Sequence, residues 1–165
     1  MPLTGVHLYA GVACVVAALL MLGGTRTRTV RAAHGVVVAT MAVLVVAGHS
    51  VPAVVGGALA LAATAAVLSR ARGREDRACA LDVAVCGALV LLMTVPLVLG
   101  AAPGAGQHAG HAHGDHRLVL AAQVVVLLGA WAVSRRRLVP GPSLTRVARA
   151  APWAMALGMG AMIVA

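Results

Sequence analysis

Long apolar stretches alternate with short charged segments along the whole chain. The apolar stretches are rich in Val, Ala and Leu, and none shows a strand-like alternation or a sustained heptad repeat. About 20 apolar residues cross the hydrocarbon core as a helix, and a helix satisfies its own backbone hydrogen bonds in lipid. The pattern predicts an all-α bundle of six transmembrane helices, in a single integral membrane domain over residues 1–165. The predicted spans are residues 4–23, 34–50, 52–69, 79–101, 117–134 and 149–165.

Composition supports a membrane protein. The chain is 61% hydrophobic and 10% charged, whereas a soluble domain carries roughly 25% charged residues. No basic residue precedes the first apolar stretch, and an Arg cluster follows it, so we expect a first transmembrane helix and not a cleaved signal peptide. The three cysteines do not form a disulfide framework. Cys14 and Cys86 lie inside apolar stretches and are predicted to be small buried hydrophobic side chains.

The arginines lie on alternate loops. Twelve of the 13 follow the first, third and fifth spans, and Arg117 is the exception. The excess of positive charge on cytoplasmic loops predicts that these loops face the cytoplasm of a bacterial plasma membrane and that both termini lie outside. Trp131 and Trp153 then fall near the cytoplasmic interface, where Trp is enriched. A net charge of +9 does not indicate nucleic-acid binding, because the basic residues form short blocks between apolar spans.

The segment between the fourth and fifth spans, residues 102–116, is rich in histidine. On the predicted topology it faces outward. Neutral imidazole binds Zn, Cu and Ni well, and the surrounding glycines allow the backbone to wrap around an ion. The candidate ligands are His108, His111, His113, His116 and Asp115. The alternative interpretation is a hydrophilic connector that binds nothing, and both stay open.

Other imidazole and thioether side chains are predicted at the same outer depth. His49 ends the second span, His7 begins the first, and Met159 and Met162 lie in the outer half of the sixth. Thioethers favour Cu(I) and imidazoles accept Cu(II), so these residues are candidates for a second part of a copper site. The alternative is that the methionines fill gaps in helix packing.

Two polar residues lie inside predicted spans. Asp82 lies near the cytoplasmic end of the fourth span, where Arg77 or His34 could pair with it. Two interpretations stay open for Asp82: an ion pair at the membrane interface, or a functional acid inside the membrane. Gln123 in the fifth span is predicted to hydrogen-bond to another helix. The chain has no GxSxG, HExxH or P-loop motif and no paired intramembrane carboxylates, so we expect no enzymatic activity.

The second and sixth spans resemble a family of small polytopic membrane proteins of Actinobacteria classed as domains of unknown function. Those proteins carry a helix of pattern HAxMxxxMxxM and a Met-rich last span such as AMxxGMGxMIV. His34 and Met41 match the first pattern, and Met155, Met159 and Met162 match the second. The second span lacks the first and third Met of the pattern. The resemblance implies a plasma-membrane location and no assigned activity.

Two hypotheses for function follow. In the first, the chain is a non-enzymatic membrane protein that binds or senses copper or zinc through the histidine-rich loop. In the second, it is a structural or partner-binding membrane subunit with no ligand, because its Ala- and Gly-rich spans permit close contact with other membrane proteins or with a second copy.

Overall fold

A computed structural model describes residues 5–23, 27–100, 113–138 and 146–164, with side chains described for 9–23, 27–98, 118–138 and 150–160. Within these residues all the regular structure is helical, in agreement with the predicted all-α class. Six helices follow one another: α1 Gly5–Gly23, α2 Arg28–Ala47, α3 Val51–Leu68, α4 Arg74–Gly100, α5 His113–Leu138 and α6 Arg146–Val164.

Among the described residues, four helices are long and apolar enough to cross a membrane. They are Arg28–Ala47, Val51–Leu68, Arg74–Val98 and Leu118–Leu138, and the segment Tyr9–Gly23 is a shorter apolar helix. The chain is thus a membrane-compatible helical bundle. The count of six spans, the side on which each loop lies and the location of the termini stay predictions.

The helices extend beyond the predicted spans at their charged ends, because polar residues can continue a helix once it leaves the apolar layer. α2 begins six residues before the predicted position, where the Thr27 hydroxyl accepts a hydrogen bond from the Val30 N–H at 3.3 Å. α4 begins five residues early, with Glu75 and Asp76 in its first turn, where carboxylates complement the helix dipole. α5 ends four residues late, with three arginines in its last turn, which is the favourable end for cations.

A tight turn joins α2 to α3. Ser50 is the N-cap residue of α3 and Pro52 lies in the first turn, but the Ser50 side chain does not cap the helix. Its hydroxyl donates to the Gly48 carbonyl at 3.4 Å. Gly48 ends α2 with φ of 63°, a left-handed conformation that glycine adopts without a Cβ clash. The reversal of the chain therefore depends on Gly48.

Neighbouring helices pack antiparallel. Gly57 of α3 faces both Gly87 and the later residue Leu91 of α4. Ala60 and Leu61, which come later in α3, face the earlier residue Gly87, so the two helices run in opposite directions. A Cβ on Gly87 would lie 2.9 Å from the Gly57 carbonyl oxygen. α3 and α4 therefore approach each other with backbone almost in contact, which in lipid maximises van der Waals packing.

Three buried threonines show how hydroxyl groups are accommodated in the apolar core. Thr40, Thr64 and Thr94 each donate to the carbonyl four residues earlier, at 2.8, 2.9 and 2.7 Å. Among the described residues no buried side-chain nitrogen or oxygen lacks a hydrogen-bond partner. An unsatisfied polar group in an apolar medium costs several kcal/mol, so this bundle is compatible with a lipid surrounding.

The Gly57–Gly87 contact predicts a sharp difference between glycine substitutions. Gly87→Ala forces α3 and α4 apart, because the new methyl group meets backbone, and should lower the free energy of unfolding by about 1–3 kcal/mol. Gly35→Ala is the matched control, since its Cβ meets nothing within 4 Å, and Ala is the better helix former. Thermal unfolding of the detergent-purified variants checks this. Equal melting temperatures for the two variants would contradict the prediction.

Candidate functional site

A buried ion pair joins α4 to α5. The Arg135 Nε donates to both carboxylate oxygens of Asp82, at 3.0 Å to Oδ1 and 3.3 Å to Oδ2. The Trp131 Nε1 donates to the same Oδ1 at 2.8 Å. Trp131 and Arg135 are four residues apart, so they lie on one face of α5 and reach one carboxylate. The Asp82 side chain is 3% exposed and that of Arg135 is 11% exposed.

The predicted ion pair of Asp82 is present, but its partner is Arg135, where Arg77 or His34 was predicted. Arg77 lies five residues earlier on the same helix, which places it about 140° away around the axis, and its side chain is exposed. The actual partner comes from the far end of α5. Antiparallel packing brings the beginning of α4 beside the end of α5, and a pattern along one helix does not reveal that contact.

His34 is also buried, close enough to Asp82 for electrostatic interaction. Its Nδ1 lies 2.9 Å from the Val30 carbonyl oxygen. Because a carbonyl only accepts, that nitrogen carries the proton. His34 is thus tied to its own helix, and the hydrogen bonds of the Asp82 carboxylate come from α5.

Aromatic contacts extend the cluster to α6. The rings of Trp131 and Trp153 meet edge to face, with centroids 4.8 Å apart and an interplanar angle of 66°. This is a favoured geometry for aromatic pairs. Trp131 is only 3% exposed, so its ring packs inside the bundle, and its predicted depth near the cytoplasmic interface stays a prediction. Its indole N–H has a buried partner, the Asp82 carboxylate.

Sulfur atoms from three helices meet deeper in the bundle. Cys14 of α1 and Cys86 of α4 are buried, as predicted, and all three cysteines are free. The Cys86 Sγ lies 3.8 Å from the Met155 Sδ, and the Cys14 Sγ donates to the Met155 carbonyl at 3.5 Å. Such contacts are typical of soft side chains that fill a core.

A cavity of about 10 Å³ separates the ion pair from the sulfur atoms. Asp82, Cys86, Trp131, Pro152 and Met155 are among the residues that line it. This volume is at the lower limit for a single water molecule.

Most of the predicted metal ligands lie outside the described part of the chain. His108 and His111 are not among the described residues. Positions 113, 115 and 116 belong to the first turn of α5, position 7 to α1 and position 162 to α6, but their side chains are not described. The predicted ligand set of the loop therefore remains a prediction.

Two of the predicted ligands, His49 and Met159, have described side chains. His49 follows the end of α2 and is exposed, whereas Met159 is completely buried. Across the described ranges, no three His, Cys, Asp or Glu side chains lie close enough together to hold a metal ion. The burial of Met159 agrees with the alternative that it fills a gap in helix packing.

No protein-family model, curated protein or solved structure matches this chain. The resemblance to the actinobacterial family therefore rests on the second and sixth spans alone.

The Asp82–Arg135 pair predicts strong coupling between two substitutions. Asp82→Asn or Arg135→Gln alone leaves a buried charge without its counterion and should cost about 3–5 kcal/mol in the free energy of unfolding. The double variant should be clearly more stable than the sum of the two single losses predicts, because no charge remains buried alone.

The matched control is Arg136→Gln, since Arg136 is the exposed neighbour of Arg135 and exposed charges contribute little. Thermal or chemical unfolding in detergent gives the change in the free energy of unfolding for the two single variants, the double variant and the control. Additive losses in the double variant would show that the two side chains do not stabilise each other.

Proposed function

We propose that this chain is a non-catalytic, multi-pass protein of the bacterial plasma membrane that binds or senses a transition metal ion, copper or zinc, through its histidine-rich loop. The observation that carries the proposal is the placement of four histidines within nine residues, at positions 108, 111, 113 and 116. With Asp115 they offer five candidate donors to one ion, and a closed zinc site needs four. In this proposal all six helices span the membrane, the Arg-rich loops are cytoplasmic, and the loop and both termini face outward.

The α4–α5 hairpin supports the proposal because an ion pair holds together the two helices that flank the loop. Asp82 near the beginning of α4 is bonded to Trp131 and Arg135 near the end of α5. This ion pair lies at the end of the hairpin opposite to the histidine-rich loop. A ligand-binding loop between two helices that are held in register loses less conformational entropy when it closes on an ion than a loop between independent helices does.

A second candidate function is a structural or partner-binding membrane subunit. It is favoured by the small share of α5 that the bundle covers, 11% of its apolar window against 50% for α4. In this alternative the histidine-rich segment is a hydrophilic connector, and the exposed side of α5 contacts another membrane helix.

Metal titration separates the two candidates. Detergent-purified wild type should bind Cu²⁺ or Zn²⁺ stoichiometrically in calorimetry. A variant with His108, His111, His113 and His116 all changed to Gln should lose that site, because the amide is a poor substitute for imidazole but keeps the loop polar.

Gln107→Ala is the control within the same segment, since it leaves every imidazole in place. It should bind as wild type does. Equal binding by the wild type and the four-histidine variant would exclude the loop as the metal site and favour the partner-binding alternative.

A further inference from the structure

Gln123 is a polar side chain on an apolar surface. It is exposed on α5, and within the described residues its amide makes no hydrogen bond. The hydrogen bond to another helix that the sequence predicts is therefore not made inside the described part of the bundle. Gln123 lies five residues into the apolar stretch that begins at Leu118 and about 18 Å from Arg135 along the helix axis. That position is within a hydrocarbon core about 30 Å thick.

The exposed residues around Gln123 form a regular line along α5. Val119, Gln123, Val126, Ala130 and Val133 are all exposed and follow one another at spacings of four, three, four and three residues. This spacing averages 3.5 residues, which keeps one seam facing a partner helix in left-handed packing. Val126, at the centre of the seam, is 70% exposed. Gly129 lies beside the seam, and a Cβ there would meet nothing within 4 Å, so a second helix can approach closely.

The hydrogen-bonding groups of the Gln123 side chain indicate a second copy of the chain as the partner. A glutamine side chain has two N–H donors and a carbonyl acceptor, so it is complementary to itself. All copies of a membrane protein insert in the same orientation, and a twofold axis along the membrane normal places both Gln123 side chains at the same depth. Each amide can then donate to the carbonyl of the other, as an isologous interface requires. A charged or purely apolar partner would leave part of the amide unsatisfied in lipid.

We propose that the chain forms a homodimer through the α5 seam, Val119, Gln123, Val126, Ala130 and Val133, with reciprocal hydrogen bonds between the two Gln123 amides. The dimer does not depend on metal binding. It places the α4–α5 hairpins of the two copies side by side.

The test is the association constant in detergent or lipid vesicles, from sedimentation equilibrium or from energy transfer between labelled copies. The wild type should dimerise, and Gln123→Leu should weaken the dimer about tenfold through the loss of two interhelical hydrogen bonds. Gln123→Asn keeps the self-complementary amide and should retain most of the association. Val125→Leu is the control, since Val125 is 69% exposed but lies about 200° around the helix from Gln123.

Cysteine crosslinking in membranes tests the face independently. Val126→Cys should give a disulfide-linked dimer on mild oxidation, whereas Val125→Cys should not, because only position 126 lies on the seam. A monomeric wild type, an unchanged association constant in Gln123→Leu, or equal crosslinking at positions 125 and 126 would each overturn the proposal. Unchanged thermal unfolding of Gln123→Leu, at a dilution at which both proteins are monomeric, would show that its effect is on association, because Gln123 hydrogen-bonds to no described residue of its own chain.

Discussion

The high cost of a lone charge in an apolar interior is the constraint on which the arrangement of α4, α5 and α6 depends. Asp82 is almost completely buried, and its charge is tolerable only where a cation and further donors meet it. Arg135 and Trp131 supply these donors from adjacent turns of α5. This requirement fixes the position of α5 along the axis of α4. Because Trp131 is held by Asp82, its edge-to-face contact with Trp153 also positions α6 against α5.

The remaining contacts depend on small side chains. Between α3 and α4 the backbones almost touch at Gly57 and Gly87, and Gly158 of α6 brings a similar approach to Cys14 of α1. In lipid, burial of apolar surface gives little driving force, so close van der Waals contact must supply it. The two kinds of contact are complementary. The ion pair sets the position of α5 along α4, and the glycine contacts set the short distance between α3 and α4 and between α1 and α6.

α5 differs from the other described spans in its environment. One side is held by the ion pair and the tryptophan cluster, while the other presents valines, Gln123 and small residues outside the bundle. The proposed metal loop and the proposed dimer seam therefore both belong to the α4–α5 hairpin.

The sequence alone predicted the helical class, because each apolar stretch can satisfy its backbone only as a helix in lipid. It also predicted the burial of Cys14 and Cys86, since this depends on their position inside apolar stretches. It indicated the histidine-rich loop by composition. Only the tertiary structure decided that Asp82 pairs with Arg135, 53 residues away, that Trp131 is buried and that Gln123 faces outward. These depend on how far one helix slides and rotates against another, and the uniformly apolar spans carry almost no periodic pattern from which that rotation could be predicted.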